Sequence, residues 1–468
     1  MKKYAKLTAA VLSCALVATA FAGCGGKDKK TTTADGKTII TQWDGNTHAQ
    51  KVTEESVKVF NETIGKENNI EFQVEFKEGG TITQNMDVAL STGAAPDFLG
   101  GGSFLSLVEQ DYLLAIDEFK SGAEIIAQYA DSGFLKNEIN QYNGKTYAVP
   151  SGATTQGMVY NKDMFKAAGI VDENGEPTPP VTWDDYREYA KKLTNEAEGK
   201  YGTIAPLKWT GFYGSDISSP VIRSQGYKEY NPTTGKYDFT NIAKIAQYWV
   251  DMKNDGSVYP DAEAVDNDPA RARFSDGVIG MKLAFSFDVG VFNDQFPATC
   301  DWGVAHYPLL DENVVYKSRM DVGNTSLMNA AARDRLDAME VVFKWKISDE
   351  QAINTYVKGV SLPWNWDIVK DVELPADAKK GWKEFAALTS DEAREPQTLQ
   401  YLTDGIDNGQ TVFVNEVWTG NKTAAEAFKA HEEKINAAVE AYYEAYPDKK
   451  EAHADRVDPT FVDSMKIK

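Results

Sequence analysis

Along the chain the apolar positions switch repeatedly between two periods. "KTIITQW" (37–43) is an apolar run of strand length, and "IEFQVEF" (70–76) alternates strictly, as a half-buried strand does. Between them, "KVTEESVKVFNETI" (51–64) places Val52, Ser56, Val59, Phe60 and Ile64 at helical spacing. A helix over 81–92 and a strand at "APDFLGG" (95–101) continue the rhythm. This β-α-β-α order predicts an α/β layered fold with mostly parallel strands. Further on, "PPVTWDDYREYAKKLT" (179–194) starts a helix. Thr182 is its N-cap, Asp184 and Asp185 favour its positive end, and Trp183, Tyr186, Ala190 and Leu193 share one face. "NIAKIAQYWVDMKNDG" (241–256) is a second amphipathic helix closed by Gly256, and "TAAEAFKAHEEKINAAVEAYYEAY" (423–446) is a long terminal one.

The first 24 residues break this pattern. A basic "MKKYAK", an apolar "LTAAVLSCALVATA" too short to span a bilayer comfortably, and a small-residue ending predict a signal peptide over 1–23. Ala22-Gly23-Cys24 resembles the lipobox of bacterial lipoproteins, with Phe21 where Leu is usual. That resemblance implies cleavage before Cys24 and lipid on its thiol; an ordinary secretory peptide with an incidental cysteine is the other reading. The polar stretch 24–36 has the composition of a tether between an anchor and a folded body. Cys14 leaves with the signal peptide and Cys24 takes lipid, so Cys300 has no disulfide partner in the mature chain.

At 468 residues the chain is long enough for two to four lobes, and it must be stabilised by a large core. Its formal charge of −21 becomes more negative once the leader's lysines are removed. Phosphate backbones and anionic headgroups repel such a chain, which excludes nucleic-acid binding and polybasic membrane contact. The serine and threonine hydroxyls of "NGKTYAVPSGATTQGMVYNKDMF" (143–165) raise the question of a nucleophile, but no base or oxyanion motif accompanies them. No G-x-S-x-G, P-loop or C-x-x-C occurs. "HEEKI" (431–435) lacks the second histidine of a zinc-protease helix and reads as solvated helix surface. With His431 and His453 in highly charged segments, neither a metal nor a cofactor is expected. "VDNDP" (265–269) reads as a helix N-terminus, and "VDENGEP" (171–177) as a turn. Asp44, Asp97 and Asp288 all fall at expected strand ends, where a carboxylate pair could flank a glycosidic bond.

Several blocks then occur in a telling order. They are "TIITQWDGN", "STGAAPDFLGG", "NGKTYAVPSGATTQGMVYNKDMFKAAGI", "PPVTWDDYREYAKKLT", "FSDGVIGMKLAFSFDVGVF", "WGVAHYPL" and "GNTSLMNAAARDRLDAMEVVFKW". Together they resemble the extracellular solute-binding protein family 1, the carbohydrate-binding lipoproteins of ABC importers that include maltose-binding proteins. The resemblance spans the mature chain. It implies a two-lobed, Venus-flytrap α/β fold with ligand in the cleft between lobes, no catalysis, a monomer, and delivery to a membrane permease. Crossings between the lobes are expected near Ser151–Thr155, Asp301–Tyr307 and Ile347. Lobe one is then 37–152 plus 304–348, and lobe two is 153–303 plus 349–468. "TYAVP" would be the last strand of one lobe and "QGMVYN" the first of the next, with a hinge between them where Gly152 supplies torsional freedom.

A neutral sugar offers flat C–H faces to aromatic rings and hydroxyls to groups that both donate and accept. The candidate ligand residues follow from position in the blocks. Trp43, Asp44 and Asn46 close the first strand, and Ser103 and Phe104 follow "PDFLGGG". Thr154 and Thr155 lie in the hinge. Phe287 stands where the family usually carries a stacking Trp, with Asp288 beside it as a hydroxyl acceptor. Trp209, Trp364 and Trp366 lie in aromatic loops. The alternatives are a secreted carbohydrate-active enzyme with paired carboxylates, or a binding protein for a non-sugar solute.

Overall fold

The computed structural model describes residues 31–77, 79–317, 320–388 and 405–468. The signal peptide, Cys24 and the first part of the tether lie outside the described residues.

The first lobe begins with β1 (Thr38–Asp44), α1 (Gln50–Glu62), β2 (Ile70–Phe76) and α2 (Gly79–Ser91). β1 and β2 pair in parallel from Thr38↔Ile70 to Asp44↔Phe76, as a strand–helix–strand crossover requires. Ile40, Phe60, Ile70, Phe72 and Phe98 form the core with Met339, Val342 and Phe343 from a helix much later in the chain. The strand expected at 95–101 is reduced to single bridges, Phe98 pairing in parallel with Gln42 and antiparallel with Met328. Gly100 and Gly102 take positive φ values of 71° and 108°, which turn the chain out of the sheet at that point.

A 12-residue strand, β3 (Pro150–Asn161), leaves this lobe and runs unbroken into the next. "TYAVP" is therefore not a separate strand. Lys145–Thr146 instead forms a small hairpin with Gln141–Tyr142. In the second lobe come α3 (Trp183–Leu193), α4 (Thr240–Asn254), β4 (Met281–Phe285) and β5 (Trp302–Ala305). The Thr182 hydroxyl accepts from Asp185 N at 3.1 Å, and the Asp185 carboxylate accepts from Thr182 N at 2.9 Å. This reciprocal cap points α3 so that Trp183, Tyr186, Ala190 and Leu193 are all buried. Trp183 and Tyr186 meet Trp249 of α4, and Phe212 packs on the same ring.

β4 and β5 both pair antiparallel with the C-terminal half of β3. The chain then returns as β6 (Met320–Asn324), antiparallel to the N-terminal half of β3. α5 (Leu336–Lys346) packs in the first lobe, α6 (Asp349–Val357) follows the next crossing, and the short β7 (Leu362–Pro363) pairs with Gly152 and Ala153. α7 (Ala424–Ala445) closes the second lobe. Only the β1–β2 ladder among these is parallel, against the expectation of mostly parallel strands. The returning segments run back along β3, and that geometry makes their ladders antiparallel.

The expected crossing at Asp301–Tyr307 lies elsewhere. β5 pairs with second-lobe residues of β3, and Tyr307 and Leu309 join the core of Trp183 and Trp249. Residues 304–309 thus pack with the second lobe, and β6 carries the return. Gly152 also has a different role from the one expected. Its φ is not positive, and a Cβ there would lie 2.5 Å from Ser361 Oγ, so a larger residue would require the Ser361 side chain to move aside. His431, expected on solvated helix surface, is buried, and so is His453 from its charged segment. His431 packs edge-on against Phe239 with ring centroids 4.9 Å apart, and His453 Nε2 sits 2.9 Å from the buried Glu138 carboxylate. Residues 265–269 do begin a helix, capped by the Asp266 side chain.

Candidate functional site

Where the carboxyl ends of β1 and β2 meet the crossing strands, a cleft of about 930 Å³ opens. Parallel strands place ligands at this end because side chains there project from the sheet without a further turn to cover them. Trp43 and Asp44 close β1 and line the cleft with Asn46. Lys77 Nζ lies 4.7 Å from the centroid of the Trp43 ring and braces one face. Gly100 holds the other side of that residue. A Cβ there would be 2.0 Å from the Trp43 carbonyl oxygen. Asp44 Oδ1 accepts from Asn46 N at 2.9 Å and Oδ2 from Gln42 Nε2 at 3.1 Å. A carboxylate has about four acceptor positions, so Asp44 keeps capacity for ligand hydroxyls.

Thr154 of β3 lines the cleft opposite Asp321 of β6. Phe287 faces it from the second lobe, stacked on Phe285 at 4.9 Å and touching His48 of the first lobe at 5.3 Å between ring centroids. Trp364 lines it from the hinge side, with its ring fixed against Tyr129 and Phe134.

Six other candidates lie outside this lining. Thr155 is the neighbour of Thr154 on a strand, so it points to the opposite face. It is buried and donates its hydroxyl to the Phe385 carbonyl at 2.9 Å. Asp288 is buried against Arg271 Nη2 at 2.6 Å and accepts from Phe285 N, which consumes it structurally rather than as a hydroxyl acceptor. Trp209 packs on the second-lobe core and Trp366 edge-on against Tyr356. Ser103 is the N-cap position of the short helix Phe104–Glu109, and Phe104 packs on Tyr147. Asp97, weighed as a catalytic carboxylate, is buried and paired with Arg335 at 2.8 Å. Of the three aspartates considered for a glycosidase pair, only Asp44 lines the cleft.

Sequence reasoning missed residues that the crossings bring in. Asp321, Asn324, Thr325 and Ser326 come from β6 and its end, and Gln351 from α6. The block "GNTS" was visible, but nothing local says which lobe it faces. Lys346, the last residue of α5, was missed as well. Its ammonium donates to Gln42 Oε1 at 2.6 Å and lies 5.8 Å and 5.4 Å from the ring centroids of Phe72 and Phe98. Burial among these groups pushes its pKa down to about 8. The cleft thus joins aromatic faces to hydroxyl, amide and carboxylate groups, which suits a ligand with both flat apolar and polyhydroxyl surfaces.

Residues 55–380 match the family model for bacterial extracellular solute-binding proteins. The arabinooligosaccharide-binding protein of Bacillus subtilis is 26% identical over 255 residues, covering 52% of this chain and 54% of that one. Among solved structures, the GacH receptor of Streptomyces glaucescens, determined unliganded and with acarbose, superposes with a TM-score of 0.64. It is 18% identical and covers 88% of this chain and 98% of its own. An ABC transporter solute-binding protein of Thermotoga lettingae, bound with α-D-tagatose, also gives 0.64, at 20% identity, over 86% of this chain and 99% of that one. With that match across most of its length and with two lobes flanking a cleft, the chain belongs to the bacterial extracellular solute-binding protein family.

Proposed function

We propose that the protein captures a carbohydrate, an oligosaccharide by the size of the cleft, and hands it to the permease of an ABC importer. The observation that carries this reading is the pairing of aromatic rings with hydroxyl-matching groups in one interlobe cleft: Trp43, Phe287 and Trp364 with Asp44, Asn46 and Thr154. Small-molecule sites run to roughly 300–1,000 Å³, and this one lies near the upper end. The sugars in the relatives' descriptions support the assignment. Ligand touching both lobes favours the closed form by its differential contacts, and the closed form docks on the permease. No bond is broken in this cycle. Lipid on Cys24 holds a monomeric protein on the outer face of the cell membrane, near its transporter.

A thermal-shift screen over mono- and oligosaccharides tests the reading. A sugar at a hundred times its Kd stabilises by about 2.7 kcal/mol, and Trp43→Ala abolishes the shift. A flat response to sugars with a shift from peptides or polyamines refutes the carbohydrate assignment. Release of shortened sugars during incubation refutes transport without chemistry. Cys24→Ser releases the protein from the membrane fraction, and a variant that stays there refutes the anchor.

A further inference from the structure

We propose that Lys346 is a positioning residue for ligand binding: acting through Gln42, it orients the Asp44 carboxylate and ties that acceptor to the crossing between the lobes. The inference rests on the cleft being the ligand site and adds a specific route by which the hinge reaches a ligand group. Three hydrogen-bonding groups stand in series. Lys346 Nζ donates to Gln42 Oε1 at 2.6 Å, and Gln42 Nε2 donates to Asp44 Oδ2 at 3.1 Å. An amide is suited to the middle position, because it accepts on one atom and donates from the other. Gln42 is 4% exposed, so its flip state is fixed by the two partners, and the ammonium allows only the oxygen to face it.

Lys346 also lines the cleft, so the test must separate orientation through Gln42 from direct contact. The half-buried Lys346 ammonium sits against the buried Phe72 and Phe98 rings, whose faces favour a cation on that side. Its hydrogen bond to Gln42 is charge-assisted and therefore short and strong. Asp44 is the acidic group that acts on this ammonium. Lys346 is also the last residue of α5, and Ile347 and Ser348 lead into α6. A rotation that moves α6 with the second lobe is transmitted through the end of α5 to Gln42 and Asp44.

The test uses the mature protein with Lys346→Met, which keeps the apolar stem, and Lys346→Arg, which keeps a donor. Two measurements are made. In the ligand-free protein, the Gln42 side-chain amide signal is followed by NMR. It moves in Lys346→Met and returns towards its original position in Lys346→Arg. In titration calorimetry with maltotriose and arabinotriose, Lys346→Met weakens binding about tenfold, Lys346→Arg recovers most of it, and Lys346→Met adds nothing in an Asp44→Asn background. A Gln42 signal unmoved by Lys346→Met overturns the proposal whatever the sugar result. So does an undiminished tenfold loss in the Asp44→Asn background, which shows direct contact instead. If the wild-type protein binds neither sugar, these two ligands are ruled out for the cleft, while the Gln42 signal still decides the relay.

Discussion

Replacing Asp97 by Ala probes how the first lobe is held together, and its cost follows from the contacts. Asp97 is 1% exposed. One oxygen pairs with Arg335 Nη2 at 2.8 Å, and the other accepts from Thr41 N at 2.8 Å and Thr41 Oγ1 at 3.0 Å. Alanine leaves a guanidinium that is only 9% exposed with its main counter-charge gone, and a β1 backbone N–H without its acceptor. Breaking a buried ion pair from one side costs about 3–5 kcal/mol. A pocket of about 260 Å³ adjoins the pair and can admit water to the stranded groups, which favours the lower part of that range. For a lobe of this size, each kcal/mol lowers Tm by roughly 2–4 °C, so a fall of about 10 °C is expected in the first-lobe transition. Differential scanning calorimetry separates it from the second lobe, whose transition stays in place. Sugar affinity, measured below the new Tm, is unchanged because Asp97 lies outside the cleft. The double variant Asp97→Leu/Arg335→Met removes both charges and recovers most of the stability. A single-variant loss below about 1 kcal/mol, or a double variant as unstable as the single, refutes this account of the pair.

Gly100→Ala forces a Cβ to within 2.0 Å of the Trp43 carbonyl and adds roughly 1–2 kcal/mol of left-handed strain; sugar affinity and thermal stability should fall together in the same preparation. Thr154→Val and Thr155→Val separate two adjacent hydroxyls. The first weakens sugar binding several-fold at unchanged Tm, and the second removes one of two donors to the Phe385 carbonyl, which Leu388 N also reaches, costing about 0.5–1.5 kcal/mol, at unchanged Kd. Lys346, pushed down to about 8 from its ordinary 10.5, binds fewer protons folded than unfolded between those values. Stability therefore rises with pH across that window, by up to about 3 kcal/mol. Urea melts at pH 8 and pH 10 should show the rise in the wild type, and a smaller rise by that amount in Lys346→Met.

Elements whose determinants are local were legible in the sequence. β1, α1 and β2 lie within a few residues of their apolar patterns, and α3 has its cap and its four buried residues where Thr182 and the helical spacing put them. What was not legible depends on partners far along the chain. His453 is buried because Glu138, 315 residues earlier, receives it, and His431 because Phe239 covers it. Thr155 and Asp288 sit beside cleft residues in sequence, and their burial is decided by Phe385 and Arg271. Asp321 and Lys346 reach the cleft only through the returns across the hinge, which no periodicity announces. The two tryptophans of "LPWNWD" part company for the same reason, since Trp364 turns to first-lobe rings and Trp366 to Tyr356.

The unbroken strand β3 also constrains how this protein can diverge. Its two halves are paired with different strands, β6 and β7 on one and β4 and β5 on the other, so the side-chain phase at Ala153, Thr154 and Thr155 is set from both ends at once. Losing or gaining one residue between Pro150 and Gln156 would turn the Thr154 position away from the cleft and push a core residue into its place, unless a bulge absorbed the change. Length changes in this segment among descendants of the same ancestor should therefore occur in pairs, while substitutions at position 154 alone are free to change the cleft lining without shifting the strand.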